Sequence, residues 1–393
     1  MQKVRIAQVG VGGFGWEHYN QIKRLSDEGR VERIAVAEMA QQENTEALGE
    51  LENNGVRLYS DAIELFDQEQ GNLDLVTLPV GIALHAPLAI AAMEAGYNVL
   101  SEKPPAATIE DVDAMIAASE ATGKFCAVQF QHMSCEPLRE LKQAILDGQF
   151  GTLKELAVHA FSPRGDDYYN RHGWAGQLQD RGAWVLDGPM NNAFAHQVMD
   201  LLFLAGPSMN EAAWPERVRA ELYHARNLTG SDTSALLAEL PGGVKLFHGV
   251  THACVDNSYP VYRIVGSQKT LSGPFAEIFP ALEGNPLEPS FDSVIDFAAG
   301  ESDQLNCPVS MTRAFTATIN AAHESSGGVH AIPSEYSREV SSDHGGIINV
   351  SGISDALARA NAHVCTFSDL GVPWAQKSDW IEMNGYATFA GVA

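Results

Sequence analysis

The stretch that most restricts the fold is Val4-Arg5-Ile6-Ala7-Gln8-Val9 followed by Gly10-Val11-Gly12-Gly13-Phe14-Gly15, after which Glu17 to Arg24 has helical spacing. Strand, glycine turn and helix in that order form a dinucleotide fingerprint with its required context on both sides. Gly10 permits the tight turn, Gly12 lets the backbone approach a pyrophosphate, and Gly15 lets the helix pack close to the strand. The helix N-terminus then faces the phosphates. A second strand, Arg33-Ile34-Ala35-Val36-Ala37, ends at Glu38. An acidic side chain there bonds the ribose hydroxyls and repels a 2'-phosphate, which predicts NAD over NADP; a solvated loop acid is the alternative.

Strands and helices go on alternating. Leu73 to Pro79 reads as a buried strand, His85 to Ala95 as a helix closed by Gly96, and Tyr97 to Leu100 as a strand. Asp111 to Thr122 is a further helix, and Lys124 to Phe130 the last strand of this half. The spacing predicts βαβ units and a doubly wound parallel sheet over residues 1–125. Between the last two strands lies Ser101-Glu102-Lys103-Pro104-Pro105. A residue before proline is pushed out of the helical region, so Lys103 is expected in extended backbone beyond the carboxyl end of a strand, where such sheets bind ligands. A lysine there can act as a general acid or base, or merely pair with Glu102 at the surface.

Charge and cysteine content narrow the function classes. The 393 residues carry 25 Lys+Arg against 50 Asp+Glu, a net charge of −25 that repels nucleic acid and anionic membranes alike. Five scattered cysteines without a CxxC pair suggest neither a disulfide framework nor a metal site. No apolar run approaches the roughly 20 residues of a membrane span, and the strand pattern already under way at Val4 argues against a signal peptide. A cytoplasmic protein is expected.

The glycine turn, Leu78-Pro79 followed by His85, the stretch from Ala95-Gly96 to Glu102-Lys103-Pro104, and Phe130-Gln131 together resemble the Gfo/Idh/MocA oxidoreductases, which include glucose-fructose oxidoreductase and inositol dehydrogenases. The resemblance implies a nicotinamide cofactor held by Gly10, Gly12, Gly13, Phe14, Gly15, Glu38, Leu78, Pro79, His85, Glu102 and Lys103. It also implies a sugar or polyol substrate and a catalytic role for Lys103.

Residues 126–393 are expected to form an α+β domain for substrate binding and oligomerisation. Glu136 to Asp147 reads as a helix and Leu153 to Phe161 as a strand. Arg164-Gly165-Asp166-Asp167-Tyr168-Tyr169-Asn170-Arg171-His172-Gly173-Trp174 then sets forked donors beside flat aromatic faces. Such a mixture suits a polyhydroxylated ligand, with Arg164, Tyr169, Arg171 and Trp174 as contacts; a surface loop or subunit contact is the alternative. In Asp187 to Asp200, helical spacing would put Asn192 and His196 on one face. The resemblance implies an acid/base pair here with an aspartate at position 192. The amide of Asn192 can orient a hydroxyl but cannot exchange its proton, which moves that role to Lys103 and His196.

Strands at Arg219 to Tyr223, Ser234 to Leu240, Val244 to Val250 and Tyr262 to Val265 predict a large open, mostly antiparallel sheet. One face would carry the loop and the His196 helix, and the other could bury against a partner in a homodimer or homotetramer. His248, His252 and Arg263 are site or sheet residues. Glu277 to Pro289 reads as loop, and Thr312 to Glu324 and Ser354 to His363 as helices. The expected activity is hydride transfer between a sugar or polyol carbon and NAD, without a metal. The alternatives are an NAD-retaining glycoside hydrolase and a redox-silent sensor.

Overall fold

The computed structural model describes residues 3–40, 44–279 and 285–392. The chain divides into two compact units: Met1–Ala106, Glu110–Cys135 and Asn285–Arg313 form one, and Ala107–Ile109, Glu136–Gly284 and Ala314–Ala393 the other. This differs from the expected division between residues 125 and 126. Strand β6 (Cys126–Val128) is an edge strand of the first sheet, so the boundary follows it, and residues 285–313 return to the same unit.

In the first unit β1 (Val4–Val9), β2 (Val31–Ala37), β3 (Arg57–Tyr59), β4 (Leu75–Leu78), β5 (Asn98–Ser101) and β6 form a parallel sheet in the order β3-β2-β1-β4-β5-β6. That order reverses between β1 and β4, the crevice where doubly wound sheets bind ligands. The crossovers are α1 (Gly15–Asp27), α2 (Thr45–Asn53), α3 (Ala62–Gln68), α4 (Ile82–Glu94) and α5 (Ile109–Thr122). A sixth helix of the unit is α10 (Leu287–Ala298), numbered in chain order, in part of the stretch read as loop. Pro289 falls in its first turn, where no intrahelical N–H bond is lost. Residues 280–284 of that stretch lie outside the described residues. Helix α10 packs Leu287, Phe291, Val294 and Ile295 against Ile6, Leu75, Leu100 and Ala127 of the sheet and Ile22 and Leu25 of α1. Arg24 and Arg30 hold it from outside through Asp292 and Asp296.

The second unit is built on β7 (Leu153–Phe161), β10 (Arg217–His224), β11 (Thr233–Leu240), β12 (Val244–Thr251), β13 (Ser258–Gly266), β14 (Thr270–Pro274) and β15 (His330–Ala331), ordered β14-β13-β7-β12-β11-β10-β15, with β18 (Ile381–Glu382) on β10. Pairing is mostly antiparallel, but β7 with β12 and β10 with β15 are parallel. Two hairpins stand outside this sheet: β8 (Gln179–Asp180) with β9 (Ala183–Trp184), and β16 (Ser337–Ser342) with β17 (Gly345–Val350). The remaining helices are α6 (Glu136–Leu146), α7 (Asp166–Asn170), α8 (Ala195–Ala205), α9 (Phe275–Ile278), α11 (Val309–Ser326) and α12 (Ile353–His363).

The sheet face expected to be free for a partner is covered in part by this chain's own α12 and the residues after it. Ala157, Tyr223, Ala235, Leu237 and Phe247 pack against Ile353, Ala356, Leu357, Ala360, Phe367 and Trp374. Leu357 lies over Gly249, where a side-chain carbon would fall 3.0 Å from its methyl group. Arg263 proves to be a sheet residue, paired with Glu155 of β7.

Four histidines are sealed into this unit. Burial pushes His159, His248 and His323 down to about 4 and His252 down to about 3, the last helped by Arg164 and Arg171. They fold neutral, while the unfolded chain protonates them below a pH of about 6.5. Their contribution is therefore present above that value and is lost as pH falls through about 4.

Two outcomes follow. Leu357→Ala should destabilise the protein by about 2–5 kcal/mol, the usual cost of emptying a packed leucine site; an unchanged urea midpoint would show that α12 is not core. Between pH 6.5 and 4.5 the wild-type urea midpoint should fall steeply, and His248→Gln should flatten that fall. A pH slope unaltered by the substitution would contradict a buried neutral His248.

Candidate functional site

The glycine turn lies at the carboxyl end of β1, beside the ends of β2 and β4. Gly10 donates its N–H to Ala37 O at 2.8 Å and has φ +88°, a conformation that favours glycine. A side-chain carbon on Gly15 would fall 2.5 Å from Gly10 O, and one on Gly12 would fall 3.1 Å from the Asn44 amide nitrogen. The close packing expected of Gly15 is real, Gly12 meets only the Asn44 side chain, and the turn fits a dinucleotide pyrophosphate at the N-terminus of α1. Leu78 and Pro79 are buried at the end of β4, with Pro79 O beside Gly10.

Glu38 is turned inward. Its Oε2 accepts the N–H groups of Val11 at 2.6 Å and Gly12 at 3.3 Å, and its Oε1 accepts that of Ala40 at 2.8 Å. The carboxylate thus shapes the turn from behind. With about four acceptor sites on a carboxylate, three amides leave room for a ribose hydroxyl.

Lys103 follows β5, joined to Pro104 by a cis peptide bond. Glu102 is buried, and its two oxygens face in different directions. Oε1 lies 2.8 Å from Nε2 of His18 on α1, and Oε2 accepts the Lys103 N–H at 3.1 Å. The His18 ring meets Phe291 of α10 edge-on at 5.0 Å. On the other side His85 of α4 lies between two carbonyls, Nδ1 at 2.7 Å from Pro104 O and Nε2 at 3.0 Å from Val80 O. Burial lowers the His85 pKa, although both carbonyls favour its charged form. Glu102 and His85 are therefore clamps on the lysine segment as well as neighbours of the dinucleotide turn. His18 escaped the sequence reading because a helix-face histidine carries no spacing signal of its own.

In the second unit the expected aromatic and basic contacts converge on Tyr168. Arg171 Cζ is 3.6 Å and Arg164 Cζ 5.0 Å from its ring centroid; the Tyr169 ring lies at 5.2 Å and the His252 ring at 5.5 Å. Arg171 also lies 5.1 Å from the Trp174 ring.

Helix α8 begins at Ala195, so His196 occupies its first turn, whereas Asn192 lies in irregular turns before it. The shared helix face expected for the two does not form, because Phe194 N bonds back five residues to Pro189 O and breaks the four-residue rhythm. Asn192 instead donates from Nδ2 to Asp187 Oδ1 at 2.8 Å. Asp187 is buried, with its Oδ2 on the Gly176 N–H at 2.6 Å. A carboxyl group thus stands against Asn192 after all, supplied from five residues upstream at a separation no helical pattern reveals. Helix α8 is fixed along its length. His248 Nε2 lies 3.2 Å from Phe194 O, Tyr262 donates to Asp200 at 2.6 Å, and Lys142 donates to Phe203 O at 2.5 Å and to Gly206 O.

Among the described residues no group of three His, Cys, Asp or Glu is arranged to hold a metal, and no helix is long and apolar enough to cross a membrane.

Residues 4–130 match the model of an oxidoreductase family with an NAD-binding Rossmann fold. The chain is 28% identical over 223 residues to a dTDP-3,4-didehydro-2,6-dideoxy-alpha-D-glucose 3-reductase of Streptomyces violaceoruber, a match covering 54% of this chain and 58% of that protein. It is 30% identical over 159 residues to an inositol 2-dehydrogenase of Rhodococcus erythropolis, covering 40% and 44%. The chain thus spans about half the length of these curated relatives. Among solved structures, the WlbA dehydrogenase of Bordetella pertussis in complex with NADH and UDP-GlcNAcA matches 83% of this chain and 97% of its own, with a TM-score of 0.69 and 27% identity. The glycine turn, the sheet order and these relatives agree on the first unit, which carries the NAD-binding Rossmann fold of this oxidoreductase family.

Proposed function

We propose that the protein is an NAD-dependent dehydrogenase that interconverts a sugar or polyol hydroxyl and the corresponding carbonyl. The observation that carries this reading is the clamped lysine. Lys103 follows a strand of the dinucleotide sheet, and Glu102, His18 and His85 fix the backbone on both sides of it. NAD, when bound, supplies the acceptor for the hydride. Lys103 takes the hydroxyl proton as the carbonyl forms and returns it in the reverse direction, and His196, in the other unit, is the second acid/base candidate. Asn192, its amide nitrogen committed to Asp187, offers its carbonyl oxygen to a substrate hydroxyl. Arg164, Tyr169, Arg171 and Trp174 bind the rest of the substrate.

The named relatives are a reductase and two dehydrogenases, which favours net redox chemistry over retained-cofactor hydrolysis. A redox-silent sensor drew support only from the amide at position 192. The carboxyl of Asp187 accepting from that amide orients it, which is compatible with a substrate-binding role.

With purified protein, NAD and a panel of inositols, aldoses and sugar acids, nicotinamide absorbance should rise for at least one substrate. Lys103→Ala should lower that turnover by about 100-fold or more, as for a positioned acid/base group, with NADH binding retained. Full activity in the variant would remove Lys103 from the chemistry. NADH should bind more tightly than NADPH, and Glu38→Ala should shift the ratio of their affinities toward NADPH by about tenfold, the loss of one charge-assisted contact. Equal affinities in the wild-type protein would refute a ribose role for Glu38.

A further inference from the structure

Tyr168 gathers two guanidinium groups in a protein with twice as many acids as bases. The nearby carboxyl groups are engaged elsewhere. Asp166 pairs with Arg226 and accepts the Gly346 N–H at 2.7 Å. Asp187 takes the Gly176 N–H and the Asn192 amide, and comes no nearer than 3.9 Å to Arg171. Arg164 has no carboxylate within 4 Å among the described residues. Its Nη1 reaches only Ser162 Oγ at 3.2 Å and Pro163 O at 3.4 Å.

Polar groups around the same ring are also left over. Arg164 Nε, Tyr169 Oη and His252 Nε2 are buried without a hydrogen-bond partner. An unmade bond of this kind costs about 1–3 kcal/mol, so three on residues packed about one ring call for an explanation. The His252 ring is only 3% exposed, and its Nδ1 lies 2.9 Å from Ser162 O. A carbonyl can only accept, so Nδ1 carries the proton. Nε2 of the neutral ring is therefore an acceptor waiting for a donor. Arg164 and Arg171 present forked donors suited to paired anionic oxygens, and Tyr169 adds a hydroxyl.

We infer that the Tyr168 cluster binds a substrate bearing an oxyanion, with Arg164 and Arg171 on the anionic oxygens and a neighbouring substrate hydroxyl donating to His252 Nε2. This rests on reading the second unit as the substrate side. It narrows the substrate from any sugar or polyol to one carrying a carboxylate or a phosphate ester, two sources of the same recognition chemistry.

The test uses the full-length protein saturated with NADH and three matched sets: glucose, galactose and myo-inositol, each with its uronate or monophosphate counterpart. Binding is followed by tryptophan fluorescence and turnover by nicotinamide absorbance. At least one anionic member should bind about tenfold or more tightly than its neutral parent, the worth of one charge-assisted contact. Arg164→Gln should abolish that preference while leaving NADH affinity and Tm unchanged, and Arg164→Lys should restore only part of it, having charge without the fork. A preference confined to uronates would identify a carboxylate, and one confined to monophosphates a phosphate ester. Neutral members binding as well as their anionic counterparts, or no anionic member binding up to roughly 10 mM, would overturn the inference. Turnover of neutral sugars alone would overturn it and leave the dehydrogenase reading standing. Binding of an anion that is never oxidised, nor its carbonyl form reduced, would do the reverse.

Discussion

The first unit depends on one buried carboxyl group. Glu102 has almost no access to water, and a polar group withdrawn that far has to be held by hydrogen bonds. Its partners are His18 and the Lys103 N–H, and each binds it into a different part of the unit. Through His18 it is tied to α1, whose first residue, Gly15, packs on the glycine turn. Through Phe291, which backs the His18 ring, it is tied to α10, almost two hundred residues further along the chain. The helix whose N-terminus suits a pyrophosphate therefore also sets where the lysine backbone runs. His85 completes the clamp from α4 by holding the carbonyl of Pro104. Position at this site is fixed by contacts from three packed helices.

The second unit solves the same problem with one helix. The first turn of α8 carries His196, and three separate contacts hold the helix: an imidazole near its start, a phenol at its middle and an ammonium at its end. The lysine at that end is costly to bury, and burial pushes it down to about 8, yet the last carbonyls of a helix are where a cation is best placed. Asp187 then sets the Asn192 amide. Because its carboxylate can only accept, the amide nitrogen must face it and the amide oxygen must face the other way.

What the sequence made legible was whatever is encoded locally. The glycine turn, the βαβ rhythm and the strands from Arg217 onward have periods that survive without tertiary context, and they matched the observed elements to within a few residues. The failures share one cause. Helix α10 hides behind Pro286 and Pro289, and its apolar face has meaning only against a sheet formed by the other end of the chain. The irregular turns before α8 are closed by a five-residue bond that no periodic template contains. Asp187, His18 and the aromatic hub of Tyr168 act through contacts fixed by folding, so their residue types alone could not distinguish them from neighbours such as Asp166 or His172. For the same reason the self-covered sheet face went unseen, since α12 reads as an ordinary amphipathic helix until the sheet it covers is known.

The charge pattern ties these levels together. A net charge of −25 argues against polyanionic partners because a phosphate backbone samples the field of a whole surface. A small ligand inside a cleft samples something else. At physiological salt the field of distant exposed charges is screened beyond about 8 Å, whereas groups that are partly buried and in contact are screened much less. What such a ligand meets near Tyr168 is two guanidiniums with one carboxyl group at the edge of contact, inside a chain whose acids outnumber its bases two to one. Bulk acidity and local basicity are therefore not in conflict. The first repels large anions from the surface, and the second acts on any small anion that reaches the cluster.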